Sequence, residues 1–357
     1  MTDRPTLIPV GGEMLSWLMY GGRMDSVDWR IRLQMRWQSF WFDRNISLQR
    51  KLRPAVACQI NDPVFIMGLW RSGTTFMHEL LGACPGLIWP ATWQCMNPSS
   101  FNMQSPPKVS KSVIRPMDDF TVNTFSPQED EFALLSLGVP SVYRGFIDPG
   151  RLSEVSQWLD PDFWCGRPDD WLGVWREFLD GVTVGKVGRL LLKSPNHTFR
   201  IRSLTHEFSQ ASYIWLVRDP AETIFSNRKM WAAMFKRYSL WNWSETELDE
   251  FLGKAFKYAA ESLEYATSAL GRDKLVVVDF ESFKKKPMET MEALFHRLDL
   301  GEWDKIKNNI ITSDAARREY RGDSYPGCLI SQGQIKAAEN LGIIQRTALC
   351  SHGLSAI

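Results

Sequence analysis

The sequence predicts an α/β protein of three layers, a central parallel sheet flanked by helices, on three observations. Apolar runs at 63–69 (PVFIMGL), 212–217 (SYIWLV) and 275–280 (LVVVDF), with 189–192 (RLLL) as a fourth, are continuous rather than alternating, as strands covered on both faces require. Each run is followed by a turn and then by residues patterned as a helix. The first run also opens into a glycine-bearing turn, FIMGLWRSGTT at 65–75, of the kind that joins a buried strand to a helix.

Composition sets the outer bounds. The 357 residues read as one domain: an N-terminal extension over 1–60, mainly helical, an α/β core over 61–300 and a C-terminal tail over 301–357. With 44% apolar residues the core is sizeable. The balance of 42 basic against 41 acidic residues implies no bulk attraction to nucleic acid or an anionic membrane, so any anion site is local. Six scattered cysteines without a C-x-x-C pair, and five histidines without ligand spacing, argue against zinc and a disulfide framework and fit a reducing cytoplasm. The stretch 14–22 (MLSWLMYGG) is too short for a signal peptide or a transmembrane segment, so a soluble, uncleaved protein is expected.

In chain order, the extension carries several of the sixteen tryptophans within 17–41. Such residues fill a core or line an apolar pocket, and they also admit peripheral contact with a membrane surface. Residues 27–38 (VDWRIRLQMRWQ) alternate like a half-buried strand, whereas their Leu, Gln, Met and Arg content suits a helix; both readings stand open. After the first strand, Met77, Leu80 and Leu81 recur at helical spacing, so a helix begins near Thr74. Residues 97–116, rich in Pro and Ser, read as a long loop. After 212–217, Asp219 can cap a helix with Pro220 in its first position and Glu222 three residues past the cap. Sheets of this kind gather ligands at the carboxyl ends of their strands, which puts Gly68–Thr75 and Arg218–Ser226 on one edge.

The turn keeps the spacing of a Walker A loop at Gly68, Gly73 and Thr75, but Thr74 stands where the lysine belongs. Backbone N–H groups opening a helix, with the hydroxyls of Ser72, Thr74 and Thr75, suit a phosphate group, and Arg71 supplies a cation. ATP hydrolysis fits poorly without the lysine. GLWRSGTT resembles the 5′-phosphosulfate loop of the sulfotransferases that use 3′-phosphoadenosine 5′-phosphosulfate (PAPS). RDPAETIFS, with Arg218 and Ser226 eight residues apart, resembles their 3′-phosphate signature. LLLKSPNHTFRI (190–201), together with RPMDDF and SPQEDEFAL within 115–134, is similar to bacterial members in particular. The resemblance spans roughly residues 60 to 300, in the family's order.

That resemblance implies a P-loop-like fold and in-line transfer of a sulfuryl group from PAPS to a hydroxyl or amine, leaving adenosine 3′,5′-bisphosphate (PAP), with no metal required. It assigns Arg71, Ser72, Gly73, Thr74 and Thr75 to the 5′-phosphosulfate and Arg218 and Ser226 to the 3′-phosphate. Arg321 and Gly322 correspond loosely to a late segment of the cytosolic members that closes on the same phosphate, although the lysine of that segment is absent. Charge building on the leaving oxygen calls for preplaced cations, here Arg71 and Lys193, the latter matching the family's K-[SD]-P motif. A general base must take the acceptor's proton, and His197, Glu129 and Glu131 compete for that role. The cluster 129–131 also reads as simple compensation of a helix dipole. His78 reads as packing, and Arg115, Arg200 and Arg202 as solvated or paired.

Two rival readings remain. In a P-loop kinase or NTPase, Asp279 of LVVVDFE would be a Walker B acid; in a non-catalytic nucleotide-binding protein only the cradle would persist. The aromatic-rich 231–243, the loops of 89–128 and the N-terminal tryptophans favour an apolar or aromatic alcohol, a lipid or a polyketide as acceptor. No motif sets the oligomeric state.

Overall fold

The computed structural model describes residues 5–313 except 53–59, 61, 119 and 167. Its strands are β1 (Val64–Met67), β2 (Leu87–Ile88), β3 (Ser112–Ile114), β4 (Thr121–Asn123), β5 (Arg189–Lys193), β6 (Ser212–Val217) and β7 (Leu275–Asp279). The main sheet runs β2-β5-β1-β6-β7 and is parallel throughout, while β3 and β4 form a separate antiparallel ribbon. The four apolar runs of the sequence are thus β1, β5, β6 and β7. The two-residue β2 gives no periodic signal.

Helices cover both faces of the sheet, so β1 is buried at every position even though its side chains alternate. Phe65 and Met67 enter the larger core with Trp171 and Trp175 of helix Pro168–Thr183. Val64 and Ile66 enter the smaller one with Leu80 and Leu81 of helix Thr74–Gly82 and Leu294 of helix Pro287–Leu298. Phe65 stacks on Tyr213 at 5.4 Å. Full burial of side chains of this size stabilises the fold by roughly 1.5–3 kcal/mol each.

The open reading of 27–38 resolves as a helix, Trp29–Leu52, and the extension also holds helix Gly12–Met19. The stretch 97–116 is not loop throughout, since it contains a 3-10 turn at Phe101–Met103 and the strand β3. Helix Pro220–Tyr238 begins where its cap indicates, Asp219 Oδ1 accepting from the Glu222 N–H at 2.9 Å. Asp279 is engaged in the same way, accepting from the Ser282 N–H at 2.9 Å to cap helix Phe280–Lys285.

Register brings the carboxyl ends of β1, β5, β6 and β7 to one edge. The chain leaves β1 toward β2 and leaves β6 toward β7, in opposite directions from neighbouring strands, and a crevice opens where such connections part. The turn after β1 is fixed by sterics: Gly73 has φ 94°, and a Cβ there would stand 2.1 Å from Cδ2 of the fully buried Phe280. We expect Gly73→Ala to destabilise the protein by about 3 kcal/mol in urea unfolding, combining left-handed strain with overpacking.

Candidate active site

The turn after β1 is clamped by the turn after β5. Thr198 Oγ1 accepts from the Gly68 N–H at 3.0 Å and donates to the Gly68 carbonyl at 3.1 Å. Within the turn Arg71 takes φ 68°, a conformation uncommon outside glycine. Its Nε donates to Ser226 Oγ at 2.8 Å and its Nη1 to Asp118 Oδ2 at 2.5 Å. Arg218, at the end of β6, donates through Nη1 to the Arg71 carbonyl at 3.1 Å and through Nη2 to Glu222 at 2.8 Å. Arg71, Arg218 and Ser226 therefore meet at the crevice between β1 and β6.

Three consecutive carboxylates bind three side chains that follow one another along the end of β5. Glu129 Oε1 accepts from Lys193 Nζ at 2.6 Å, Asp130 Oδ2 lies 3.0 Å from His197 Nε2, and Glu131 Oε2 accepts from Arg200 Nη1 at 2.5 Å. Glu129 Oε2 also accepts from the Tyr143 hydroxyl at 2.7 Å, and that hydroxyl accepts from Trp70 Nε1 at 3.1 Å. Lys193 Nζ reaches Thr75 Oγ1 at 3.3 Å, which joins the carboxylate to the turn. Burial lowers the pKa of Lys193 below its ordinary value, against the opposing pull of Glu129. His78 is buried in the helix after the turn, and burial, then the nearby Lys193 charge, pushes its pKa well down.

Beside the turn lies a cavity of about 570 Å³. Its polar side is Arg71, Thr74, Thr75, Arg115, Asp118, Glu129 and Tyr143, and its walls are largely apolar, with Trp93, Met96, Ile114, Phe132, Met230 and Met234. Asp118 ties the polar side together, accepting from Arg71 and from Arg115 Nη2, each at 2.5 Å. Burial alone would raise its pKa, but the hydrogen bond and charge of Arg115, with Arg71, outweigh it and hold the carboxyl below its ordinary value. The sequence model of the sulfotransferase family matches residues 63–305, which include every one of these groups. The chain belongs to the sulfotransferase family. Stf3, the omega-hydroxy-beta-dihydromenaquinone-9 sulfotransferase of Mycobacterium tuberculosis, is 27% identical over 297 residues, 81% of this chain and 74% of its own. The Mycobacterium bovis protein of that name matches equally. Among solved structures, STF9 from Mycobacterium avium superposes with a TM-score of 0.62 at 17% identity, over 87% of this chain and 82% of its own. STF1 from Mycobacterium tuberculosis gives 0.57 at 18% identity, over 78% and 80%. At those identities the two structures establish the fold.

This sulfotransferase is thus a sulfuryl-transfer enzyme, and the kinase and pure-binder readings are not favoured. Its geometry separates the residues the sequence nominates. Arg71, Thr74, Thr75 and Glu129 line the cavity with Gly73, and Lys193 stands directly behind Glu129 and Thr75. Ser72 turns inward, its hydroxyl donating to the Leu69 carbonyl at 2.7 Å. Arg218 and Ser226 are buried behind Arg71 rather than lining the cavity. His197 is fully buried between Phe65 and Trp175, and Glu131 is fully buried on Arg200, so both are removed from the cavity to which a base must open. Nor does the triplet 129–131 merely face a helix dipole, since each member has its own side-chain partner. Arg321 and Gly322 lie outside the described residues.

Of the proposed acceptor walls, 89–128 supplies many residues, 231–243 supplies Met234 and Tyr238, and none of the N-terminal tryptophans reaches the cavity. Sequence reasoning passed over Asp118, Tyr143 and Thr198, and read Arg115 as solvated or paired; it is paired, with Asp118. Arg115, Asp118 and Thr198 fall within segments that carried the family resemblance, whereas Tyr143 gave no local sign.

The Glu131–Arg200 pair, 0% and 1% exposed, supports the fold rather than the chemistry. Arg200→Met leaves a buried carboxylate unpaired and should cost about 3–5 kcal/mol in urea unfolding, most of it recovered in the Glu131→Leu/Arg200→Met double variant.

Proposed function

We propose that this sulfotransferase moves the sulfuryl group of PAPS to the hydroxyl of an apolar, lipid-like acceptor held in the cavity, with Glu129 as the general base. The observation that carries the reading is the junction at Lys193, whose ammonium touches both the turn, at Thr75 Oγ1 (3.3 Å), and the cavity carboxylate, at Glu129 Oε1 (2.6 Å). One buried cation thereby links the donor side to the acceptor side.

In the proposed reaction the acceptor oxygen attacks sulfur opposite the bridging oxygen. The new S–O bond forms as the old one breaks, the bridging electron pair departs on PAP, and the acceptor's proton passes to Glu129. The N–H groups of the helix starting at Thr74, with Arg71, would hold the 5′-phosphosulfate; Arg218 and Ser226 would take the 3′-phosphate, with phosphate replacing Glu222 on the guanidinium. Lys193 would neutralise charge developing on the leaving oxygen, where a cation fixed in advance acts on the transition state. Tyr143 and Lys193 together fix the Glu129 carboxylate, which retains lone pairs for a proton. An apolar acceptor is supported by the methionine and aromatic walls and by the name of the relative Stf3, an omega-hydroxy-dihydromenaquinone sulfotransferase.

Glu129→Gln should lower kcat by about 10²–10⁴-fold while PAP binding persists, because it removes a proton acceptor and not a phosphate ligand. Arg218→Ala should instead weaken PAP by about 1.5–3 kcal/mol in calorimetric titration, the value of hydrogen bonds to a charged group. Thermal stabilisation of the wild type by ATP with Mg²⁺ but not by PAP would restore the kinase reading. The lowered pKa of Lys193 gives a sign as well: as pH rises the ammonium is lost before the ordinary lysine value of 10.5, so kcat should start to fall on the alkaline side below that pH. Lys193→Arg, which stays charged, should remove that limb of the profile even if its maximum rate is lower.

A further inference from the structure

Helix Trp29–Leu52 is apolar on two sides, and the described residues of the fold bury only one of them. Its inner side buries Met35 and Phe42. Its outer side leaves Trp29, Leu33, Trp37, Phe40 and Trp41 between 41% and 62% exposed, and Leu52 at 71%. At helical spacing these fall within one arc of about 140°. The rings of Trp37, Phe40 and Trp41 pack on one another at 5.6–6.5 Å, so the exposed surface is continuous rather than scattered.

The same helix carries six basic residues and one acidic one over 29–52. The exposed Asp43 accepts from the Gly12 N–H at 3.1 Å, while Arg32 and Arg50 are taken by Asp25 and Glu177. Arg30 and Arg44 lie against the exposed rings, at 5.6 Å from Trp29 and 5.5 Å from Trp41; Lys51 falls on the same arc, and the exposed Arg36 borders it about 20° beyond Trp29. An aromatic stripe interspersed with cations matches the boundary between headgroups and acyl chains of an anionic bilayer. A second copy matches less well, because two-fold pairing centred on this stripe would bring the cations of one helix against those of the other, Arg36 opposite Arg44 in an antiparallel pair about Phe40. Among the described residues no helix is long and apolar enough to cross a membrane, so the fitting orientation is parallel to the surface.

We propose that the outer face of helix Trp29–Leu52 lies on an anionic phospholipid bilayer, with its tryptophans and Phe40 in the interfacial layer and its arginines at the phosphates. The contact itself does not depend on the acceptor assignment. Its consequence does: Gln49 bonds the Pro98 carbonyl and the Asn102 N–H, each at 3.1 Å, so the helix is fastened to the segment that follows Met96 and Asn97 at the cavity. A bilayer-borne alcohol would then meet a protein whose docked helix is tied to the segment that lines the cavity.

The test is co-sedimentation of the full chain, without nucleotide, with vesicles of phosphatidylcholine alone or mixed with phosphatidylglycerol. The wild type should sediment with the mixed vesicles and be released by salt. Trp37→Gln/Trp41→Gln should lower the partition coefficient by about tenfold or more. Arg36→Gln/Arg44→Gln should remove the preference for the anionic vesicles. Both variants should keep the wild-type thermal shift with PAP, a readout that fails on its own if the donor assignment is wrong. The proposal is overturned if the wild type stays in the supernatant with anionic vesicles or if the tryptophan variant sediments as fully as the wild type. It is equally overturned if sedimentation velocity shows a dimer that the tryptophan variant dissolves, since a second copy would then cover the face.

Discussion

The active-site edge depends on a ladder of buried polar pairs. Glu129, Asp130 and Glu131 each need a partner, and Lys193, His197 and Arg200 supply them in the same order along the chain. A buried ion pair adds little net stability, because desolvation consumes most of the attraction, but breaking one is costly. Its effect is therefore on register. Sliding one segment past the other by a residue would leave several charges buried without a counterpart, so the segment carrying 129–131 has one seat against the end of β5. With Thr198 holding Gly68, that seat also fixes the turn after β1.

The cavity follows from this seating. Upstream of Glu129 the ribbon β3–β4 folds back over the turn, and the chain between its strands delivers Asp118 to Arg71 and Arg115. Downstream, Tyr143 returns to Glu129 and Trp70. The polar groups crowd against the turn while Met230 and Met234 form part of the far wall. This division would suit the proposed transfer, in which an anionic donor and an apolar alcohol each meet a surface of their own character.

What the sequence made legible was local. Continuous apolar runs marked β1, β5, β6 and β7, and the Asp219–Pro220–Glu222 pattern marked a helix start, because strand burial and capping are decided within a few residues. The ladder was hidden because its partners lie 64, 67 and 69 residues apart, and nothing near Glu129 distinguishes it from Glu131. One opens to the cavity and the other is sealed on Arg200, a difference set entirely by packing. His197 misled for a related reason: four residues from Lys193 is close in sequence, yet the 3-10 turn Pro195–Arg200 carries its ring under the sheet edge onto Trp175. In 27–38 a short window of alternation imitated a strand because the helix is apolar on two opposite sides.

The threonine at position 74 can be understood in the same terms. In a Walker loop the lysine projects from the first turn of the helix and serves the phosphates alone. Here the ammonium comes from β5, one strand over, and approaches the turn from behind through Thr75. From that side it also binds Glu129 on the cavity wall, which in the proposed reaction is the acceptor's side, where a loop lysine would be poorly placed. In the proposed reaction negative charge grows on the leaving oxygen while a proton reaches Glu129, so the carboxylate's hold on the ammonium weakens as the leaving oxygen's demand for it rises. In that reading, moving the cation from the loop to the neighbouring strand would let one buried charge respond to both events.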